Sequence, residues 1–347
     1  MTKEAIPEQK KRNKRIFQIL LITTSIGSLF FVPWLLVKSW ILPLPDTVQE
    51  QLDEAIGHGF EGMVVYIDQT GQEPQYFASG WHNREEKIPA RPDALYKIAS
   101  ISKLFDAVAV TKLTKEGRLD LDKTIADYLP QFASRLANSD KITLRMMLQH
   151  RSGLPNFTDT PGFWESPTGT FEEGIALIYD QPAEFEPDTD YAYCNTNYLL
   201  LNKIMDVQLG YENFEYKRER ILKPLELNHT FGPNDTVNMD DLMSGYHVGY
   251  PNDLKADGHN MLATAEDVGI LIRALNNGSI FNSGEKELYV YEYEHDGWVP
   301  GYQSFSWYNE ELDAVIVTYY NTTDPKLFNW NLSQIINNRI VKILKKQ

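Results

Sequence analysis

The chain has 347 residues, 42% of them hydrophobic and 12% aromatic, enough to bury a substantial core and too apolar to remain disordered. Its net charge of −15 excludes a nucleic-acid surface as the main partner, because phosphate binding needs a basic footprint. A single cysteine, Cys194, excludes an intrachain disulfide and any cysteine-rich metal cluster.

The first organised segment is apolar. Residues 16–37 carry no charge in 22 positions and are rich in Ile, Leu, Phe and Val, long enough for one transmembrane helix. Lys10, Lys11, Arg12, Lys14 and Arg15 precede this run and only Lys38 closely follows it, so residues 1–15 are expected to form a cytoplasmic tail. Pro33 is positioned to kink its outer end, and Trp34 and Trp40 suit the membrane interface. The run is longer than a signal-peptide core, and no small-residue cleavage site closes it. The expectation is an uncleaved, single-pass anchor with the rest of the chain outside the cell membrane. That exported part holds 27 basic and 46 acidic residues, a net of −19.

Residues 38–59 read as a linker and a short amphipathic helix, Val48 to Ile56, before one large domain spanning 60–347. Gly62 to Asp68 reads as a buried strand, Thr70-Gly71 as a turn, and Gln75 to Ala78 as an antiparallel partner. Ser100 to Glu116 is the strongest helix pattern, with Ile101, Leu104, Phe105, Val108 and Leu113 at three- and four-residue spacing and Gly117 as its stop. From Leu121 to about Leu275 helical patterns alternate with loops. The last of these helices, Thr264 to Leu275, has Thr264 as N-cap. Strand patterns return at Glu287 to Tyr293, Ser304 to Tyr308 and Ala314 to Tyr319, and an amphipathic helix, Leu327 to Leu344, ends the chain. Strands at both ends around a helical middle predict an α+β fold in which the terminal segments share one antiparallel sheet.

Three short motifs carry candidate chemistry. Ser100-Ile-Ser-Lys103 sets a hydroxyl and an amine on one helix face, where a desolvated lysine can serve as the base a weak nucleophile needs. Against this stands the reading of Ser100 as a simple N-cap, and Ser283 to Lys286 repeats the spacing in a surface turn. Tyr193-Cys-Asn195 offers a phenol for proton transfer and an amide for a substrate carbonyl or N–H. Tyr211-Glu-Asn213 repeats that spacing too. His295-Asp-Gly297, followed by Trp298, supplies a small residue on a strand edge, where a backbone N–H can join that of Ser100 in an oxyanion hole. His247-Val-Gly249 shows the pattern arising by chance, so the order of the set is what matters.

In that order the set resembles the three-motif active site of serine β-lactamases and penicillin-binding proteins, especially the class C β-lactamase-like branch with its D-aminopeptidases, DD-carboxypeptidases and esterases. Supporting stretches include Ile142-Thr-Leu-Arg-Met-Met-Leu-Gln-His-Arg-Ser-Gly-Leu-Pro155, Asn260-Met-Leu-Ala-Thr-Ala-Glu-Asp267 and Pro300-Gly-Tyr-Gln-Ser304, so the likeness runs from about residue 60 to 340. It implies that Ser100 is acylated, that Lys103 and Tyr193 share the base role, that Asn195 orients substrate, and that His295, Gly297 and Trp298 line the binding strand. It also implies a small-molecule or peptide substrate, of which cell-wall fragments are one source, and no cofactor. Three departures stand out: Asp296 replaces a small or hydroxyl residue, Pro187-Asp188 replaces a Pro-Gly turn, and Asp257-Gly-His-Asn260 carries one glycine where two are usual.

The resulting expectation is a membrane-anchored serine hydrolase acting through an acyl-enzyme on an ester or amide. A β-lactamase or a DD-carboxypeptidase is the nearest alternative, and a non-catalytic sensor of cell-wall peptides the alternative from another class. His150 is expected to be structural, Cys194 a small buried side chain, and His295 a titrating group near its ordinary pKa of about 6.5. No zinc-ligand spacing is present in the sequence.

Overall fold

The computed structural model describes residues 8–256, 258 and 260–346. Residues 1–7 of the expected tail, and Asp257 and His259 of the departure noted above, lie outside the described residues. The chain divides into a segment ending at Pro43 and a compact unit from Leu44 onward.

In the first segment the expected single span is broken. Helix α1, Glu8–Leu29, ends at a turn through residues 30–33, and α2, Trp34–Ile41, starts after Pro33. Pro33 lacks an N–H to continue a helical ladder. No single helix among the described residues is long and apolar enough to cross a membrane, whereas Arg12–Leu29 and Trp34–Ile41 satisfy that test together as a pair bent by 78°.

The compact unit opens with α3, Val48–Gly57, started by a capping box in which Thr47 and Glu50 exchange side-chain and backbone bonds. Its buried Val48, Leu52 and Ala55 form one stripe. The chain then enters β1, Gly62–Gln69, and β2, Gln75–Asn83, which pair antiparallel; β3, Ile88–Pro89, adds to the edge. The C-terminal third returns three strands, β8 (His295–Val299), β9 (Tyr302–Asn309) and β10 (Ala314–Tyr320). The order β3-β2-β1-β10-β9-β8 joins strands from the early and late parts of the compact unit in one antiparallel sheet, as the sequence pattern predicts. Central β1 and β10 read as apolar runs because both their faces are covered.

One cover is α11, Ala265–Asn277, capped by Thr264 as expected and packed so closely that a Cβ on Gly269 would meet the Tyr66 ring at 2.2 Å. The other includes α12, Phe328–Leu344, whose buried Arg339 reaches Gln51 of α3 at 2.6 Å. Short strands β4 (Tyr96–Lys97), β5 (Thr230–Phe231) and β7 (Leu262–Ala263) form a small sheet in the order β4-β7-β5, and β6 (Tyr246–His247) pairs with β11 (Thr322–Thr323). The helical layer is built on α4, Ser102–Lys115, and α9, Asn195–Leu209, with the short helices α5 (Ile125–Tyr128), α6 (Pro130–Ala133), α7 (Leu144–Leu148) and α8 (Phe171–Ala176) between them and α10 (Asn213–Lys217) after. Leu104, Phe105, Val108 and Leu113 of α4 are fully buried at its centre.

The strand expected at Glu287 to Tyr293 does not form. Residues Lys286–Leu288 make a single 3-10 turn and the following tyrosines run as irregular chain. Their alternation imitates a strand, but Tyr289 packs on Phe281 and Tyr293, and Tyr291 on Tyr198 and His295, so aromatic contacts replace a ladder.

Candidate active site

The nucleophile candidate sits at the junction of the two layers. Ala99–Ile101 forms a 3-10 turn immediately before α4, and Ala99 holds a φ of 49°, a left-handed conformation rare for a residue with a Cβ. Ser100 is therefore not an N-cap: α4 begins two residues later without any side-chain cap. The turn aims the hydroxyl out of the core.

Lys103 Nζ lies 3.0 Å from Ser100 Oγ and donates to Asn195 Oδ1 at 2.9 Å. The lysine side chain is nearly buried, at 6% exposure, and its Nζ lies over the rings of Tyr193 and Tyr198 at 5.2 and 5.3 Å. Tyr193 donates its hydroxyl to Ser100 Oγ at 2.8 Å. The structure thus brings together the serine, lysine and tyrosine that the sequence singled out. Asn195 is engaged within the protein, Oδ1 by Lys103 and one Nδ2 hydrogen by Thr158 Oγ1 at 3.0 Å, so it holds the lysine and keeps a second N–H. Asn156 completes this frame by accepting from the Asn195 N–H at 3.0 Å and from Thr158 Oγ1 at 3.1 Å.

Opposite stands β8. Gly297 needs to be glycine, since a Cβ there would meet Ser304 Oγ at 2.4 Å, the Ile98 carbonyl at 2.5 Å and Ala99 Cβ at 3.0 Å. This close approach brings the edge strand against the Ser100 turn, where Ser304 Oγ donates to the Ile98 carbonyl at 2.9 Å. Gln303, the register partner of Trp298, donates its N–H to the Tyr96 hydroxyl at 3.0 Å and accepts from that hydroxyl through its C=O at 3.2 Å. The backbone N–H of Trp298 is thereby left on the open side of β8, where an oxyanion donor has to be.

His295 and Asp296 point to opposite faces of the strand, as period-two alternation dictates. The His295 ring faces Tyr193 with centroids 6.1 Å apart, and its Nδ1 pairs with the Asp296 carbonyl at 2.5 Å. Burial, and then the Lys103 charge, lower its pKa to about 4, so its expected titration near 6.5 is corrected: it is uncharged at neutral pH. Glu292 Oε2 stands 4.0 Å from Nε2, but that carboxylate is largely solvated and burial of the ring prevails. Asp296 lies behind the sheet, bonded by Trp307 Nε1 at 2.7 Å and Gln334 Nε2 at 3.4 Å, and burial raises its pKa to about 6. The departure at this position does not put a charge in front of substrate.

Behind Tyr193 lies His150, 1% exposed and at a φ of 56°. Its carbonyl accepts from the Ala192 N–H at 3.1 Å and its Nδ1 from the Cys194 N–H at 3.1 Å, bracketing the tyrosine on both sides. Burial, followed by the charge of Lys103, lowers its pKa to about 3, so the ring stays neutral. Cys194 is buried and its thiol pKa is raised by that burial, in keeping with a packing role. Asp188, in the loop departing from Pro-Gly, takes the left-handed conformation itself, with a φ of 66°, and is gripped by Arg151 Nε at 2.5 Å. A separate cleft of about 530 Å³ near Tyr76, Arg91 and His229 does not include Ser100; its Arg91 is paired with Asp93 and Asp241, and its Glu266 accepts from the Tyr76 hydroxyl at 2.6 Å.

The sequence alone did not mark Thr158, Asn156 and Tyr291 as parts of this site. Asn156 and Thr158 follow the Arg151 to Pro155 loop, so their proximity to Asn195 depends on tertiary packing.

Residues 44–290 match the family model described as Beta-lactamase. The chain belongs to the beta-lactamase family. Among curated relatives, Protein flp of Staphylococcus aureus (strain MW2) is 26% identical over 193 residues, covering 54% of this chain and 39% of that protein. Penicillin-binding protein 4 of Amycolatopsis lactamdurans is 30% identical over 193 residues, covering 54% and 48%. The alignments thus span less than half the length of these relatives. The beta-lactamase-family fold is also that of D-amino acid amidase from Ochrobactrum anthropi SV3, complexed with D-phenylalanine, at a TM-score of 0.75 and 23% identity over 86% of this chain and 98% of that one. A penicillin-binding protein from Bacillus halodurans superposes at 0.71 with 19% identity, covering 84% and 99%.

Proposed function

We propose that this beta-lactamase-family protein is a serine hydrolase that cleaves neutral esters or amides through an acyl-enzyme on Ser100. The observation carrying this reading is the convergence of Lys103 Nζ and the Tyr193 hydroxyl on Ser100 Oγ, at 3.0 and 2.8 Å. Attack of Oγ on the substrate carbonyl requires one member of the Lys103–Tyr193 pair to be deprotonated; that member takes the serine proton, and the oxyanion receives the N–H groups of Ser100 and Trp298. Tyr193 then returns a proton to the departing alcohol or amine, leaving an ester on Ser100. Water, deprotonated by the same pair, hydrolyses that ester and restores the hydroxyl.

The neutral state of His295 supports the substrate class. An uncharged imidazole in the third motif offers no fixed positive charge to a carboxylate, which favours substrates without one, such as simple amides and esters, over penicillins. The D-amino acid amidase likeness supports an amide as one member of that class. The test is fluorophosphonate treatment followed by peptide mass spectrometry. The adduct is expected on Ser100, absent in Ser100→Ala, and slower to form in Lys103→Ala by on the order of 10². Equal labelling of all three proteins would leave only a binding module.

The proposal extends to placement. The basic cluster before residue 16 and the bent apolar pair support anchoring with the hydrolase unit outside the cytoplasm. A phosphatase fused after Gln347 should be active only in the exported compartment, and activity of a cytoplasm-only reporter there would reverse the topology.

A further inference from the structure

The cleft along β8 has two chemically distinct ends. A leaving group takes its proton from the Tyr193 hydroxyl, so it departs on the side where Tyr193 stands. That side is the His295 end of the strand, with the two rings 6.1 Å apart and Tyr291 stacked on His295 at 5.8 Å. The acyl group therefore extends the other way along β8, past Gly297 toward Trp298.

At that end the two layers touch. Trp298 leaves β8 on the same side as Asp296, and its ring meets that of Trp164, from the loop after Thr158, edge to face with centroids 5.3 Å apart and planes at 87°, so the contact joins this edge strand to the helical layer. Each is supported from behind. Trp164 packs on Phe163 at 5.0 Å, and Phe163, 8% exposed, packs on Phe157 at 5.2 Å. Trp298 lies 6.3 Å from the His247 ring, whose Nδ1 pairs with Thr323 Oγ1 at 2.7 Å. Both tryptophans remain partly exposed, which leaves indole surface for a substrate to meet. Paired large rings with packed supports form a wall that does not yield without displacing several neighbours.

We propose that Trp164 and Trp298 close the acyl end of the cleft and restrict this hydrolase to short acyl groups, excluding long alkanoyl chains and extended peptides on the acyl side. The proposal rests on the hydrolase reading above. An acyl chain that reaches the wall must bend back or push Trp164 away, and each methylene in a closed pocket changes kcat/KM by about tenfold or more.

The test compares p-nitrophenyl acetate, butyrate and hexanoate as substrates of the full chain, wild type and Trp164→Ala, reading the hexanoate-to-acetate ratio of kcat/KM. The wild-type ratio is expected below about 0.1, and Trp164→Ala should raise it at least about tenfold, with Trp164→Phe in between. If Trp164→Ala fails to fold by circular dichroism, Trp164→Phe carries the comparison. A wild-type ratio near or above one, or a folded variant that labels at Ser100 yet keeps the wild-type ratio, overturns the end wall and leaves the hydrolase reading intact. A wild-type protein that neither labels at Ser100 nor hydrolyses any of the three esters overturns both.

Discussion

The ring of Tyr193 rests on that of His150, with centroids 4.5 Å apart and planes inclined by 33°. With the Ala192 and Cys194 N–H groups bonded to the same histidine, the backbone on either side of the tyrosine and the face of its ring are all set by one buried, neutral residue. This assigns His150 a positioning role, since Nδ1 accepts a backbone bond and Nε2, where the neutral ring keeps its proton, is buried with no hydrogen-bond partner among the described residues.

The two functions of His150 separate by substitution. His150→Asn keeps an acceptor for the Cys194 N–H and tolerates a positive φ, whereas His150→Phe keeps a ring and strands that N–H in the core at a cost of about 1–3 kcal/mol. We expect His150→Phe to lose about 10–10² in kcat with KM little changed, and His150→Asn to lose less. Neither should move the pH profile, because the native imidazole stays uncharged above about pH 4. Wild-type kcat in a folded His150→Phe would remove the positioning role.

Gly297 makes a steric prediction. A methyl group there collides with the backbone carbonyl of Ile98 as well as with Ser304 Oγ, so relief requires moving β8 away from the Ser100 turn. Gly297→Ala should therefore separate the two oxyanion donors and reduce fluorophosphonate labelling by on the order of 10²–10³, the usual effect of losing one donor. Labelling at the wild-type rate would mean that the Trp298 N–H takes no part.

Much of this arrangement was legible in the sequence, and the exceptions share a cause. The central strands announce themselves by β-branched and apolar residues at Met63 to Ile67 and Ala314 to Val317, and the i, i+3 spacing of Ser100 and Lys103 fixes their neighbourhood whatever surrounds them. What escaped depends on burial and on contacts between distant segments. The alternating tyrosines 289, 291 and 293 have the period of a strand but find aromatic partners before a neighbouring strand. Asn195 carries the expected amide, but its bond to Thr158 could not be read from spacing. His295 keeps its motif position while burial removes its charge near neutrality.

Asp296 gives a stability prediction whose sign is opposite to that of a salt-bridged carboxylate. Its folded pKa, about 6, lies above the ordinary 3.8, so the folded state binds the proton more tightly than the unfolded one. The contribution favours folding below about pH 4 and is lost as pH rises through about 6. Asp296→Asn keeps an acceptor for the Trp307 indole and has no charge to bury. Its Tm at pH 8 should exceed that of wild type by a few degrees, at about 2–4 °C per kcal/mol, and the difference should shrink toward pH 4. A lower Tm for the variant at pH 8 would show that the charged carboxylate is stabilising there.

His295 decides how discrimination against carboxylates varies with pH. At its ordinary pKa the ring would gain charge between pH 8 and 6 and draw penicillins in, narrowing their disadvantage against a neutral ester. The folded site holds the pKa at about 4, so the kcat/KM ratio of ester to penicillin should stay level from pH 8 to 6. His295→Lys places an ammonium facing Tyr193 and should raise penicillin turnover relative to the ester by about tenfold or more, the worth of a charge-assisted bond. Kinetics of wild type and variant on one ester and one penicillin across this range test both statements. A wild-type ratio that falls with a midpoint near 6.5 would place the imidazole in contact with solvent. A penicillin hydrolysed faster than every ester, with His295→Lys leaving that order unchanged, would move the protein from the neutral-substrate class to the β-lactamases proper.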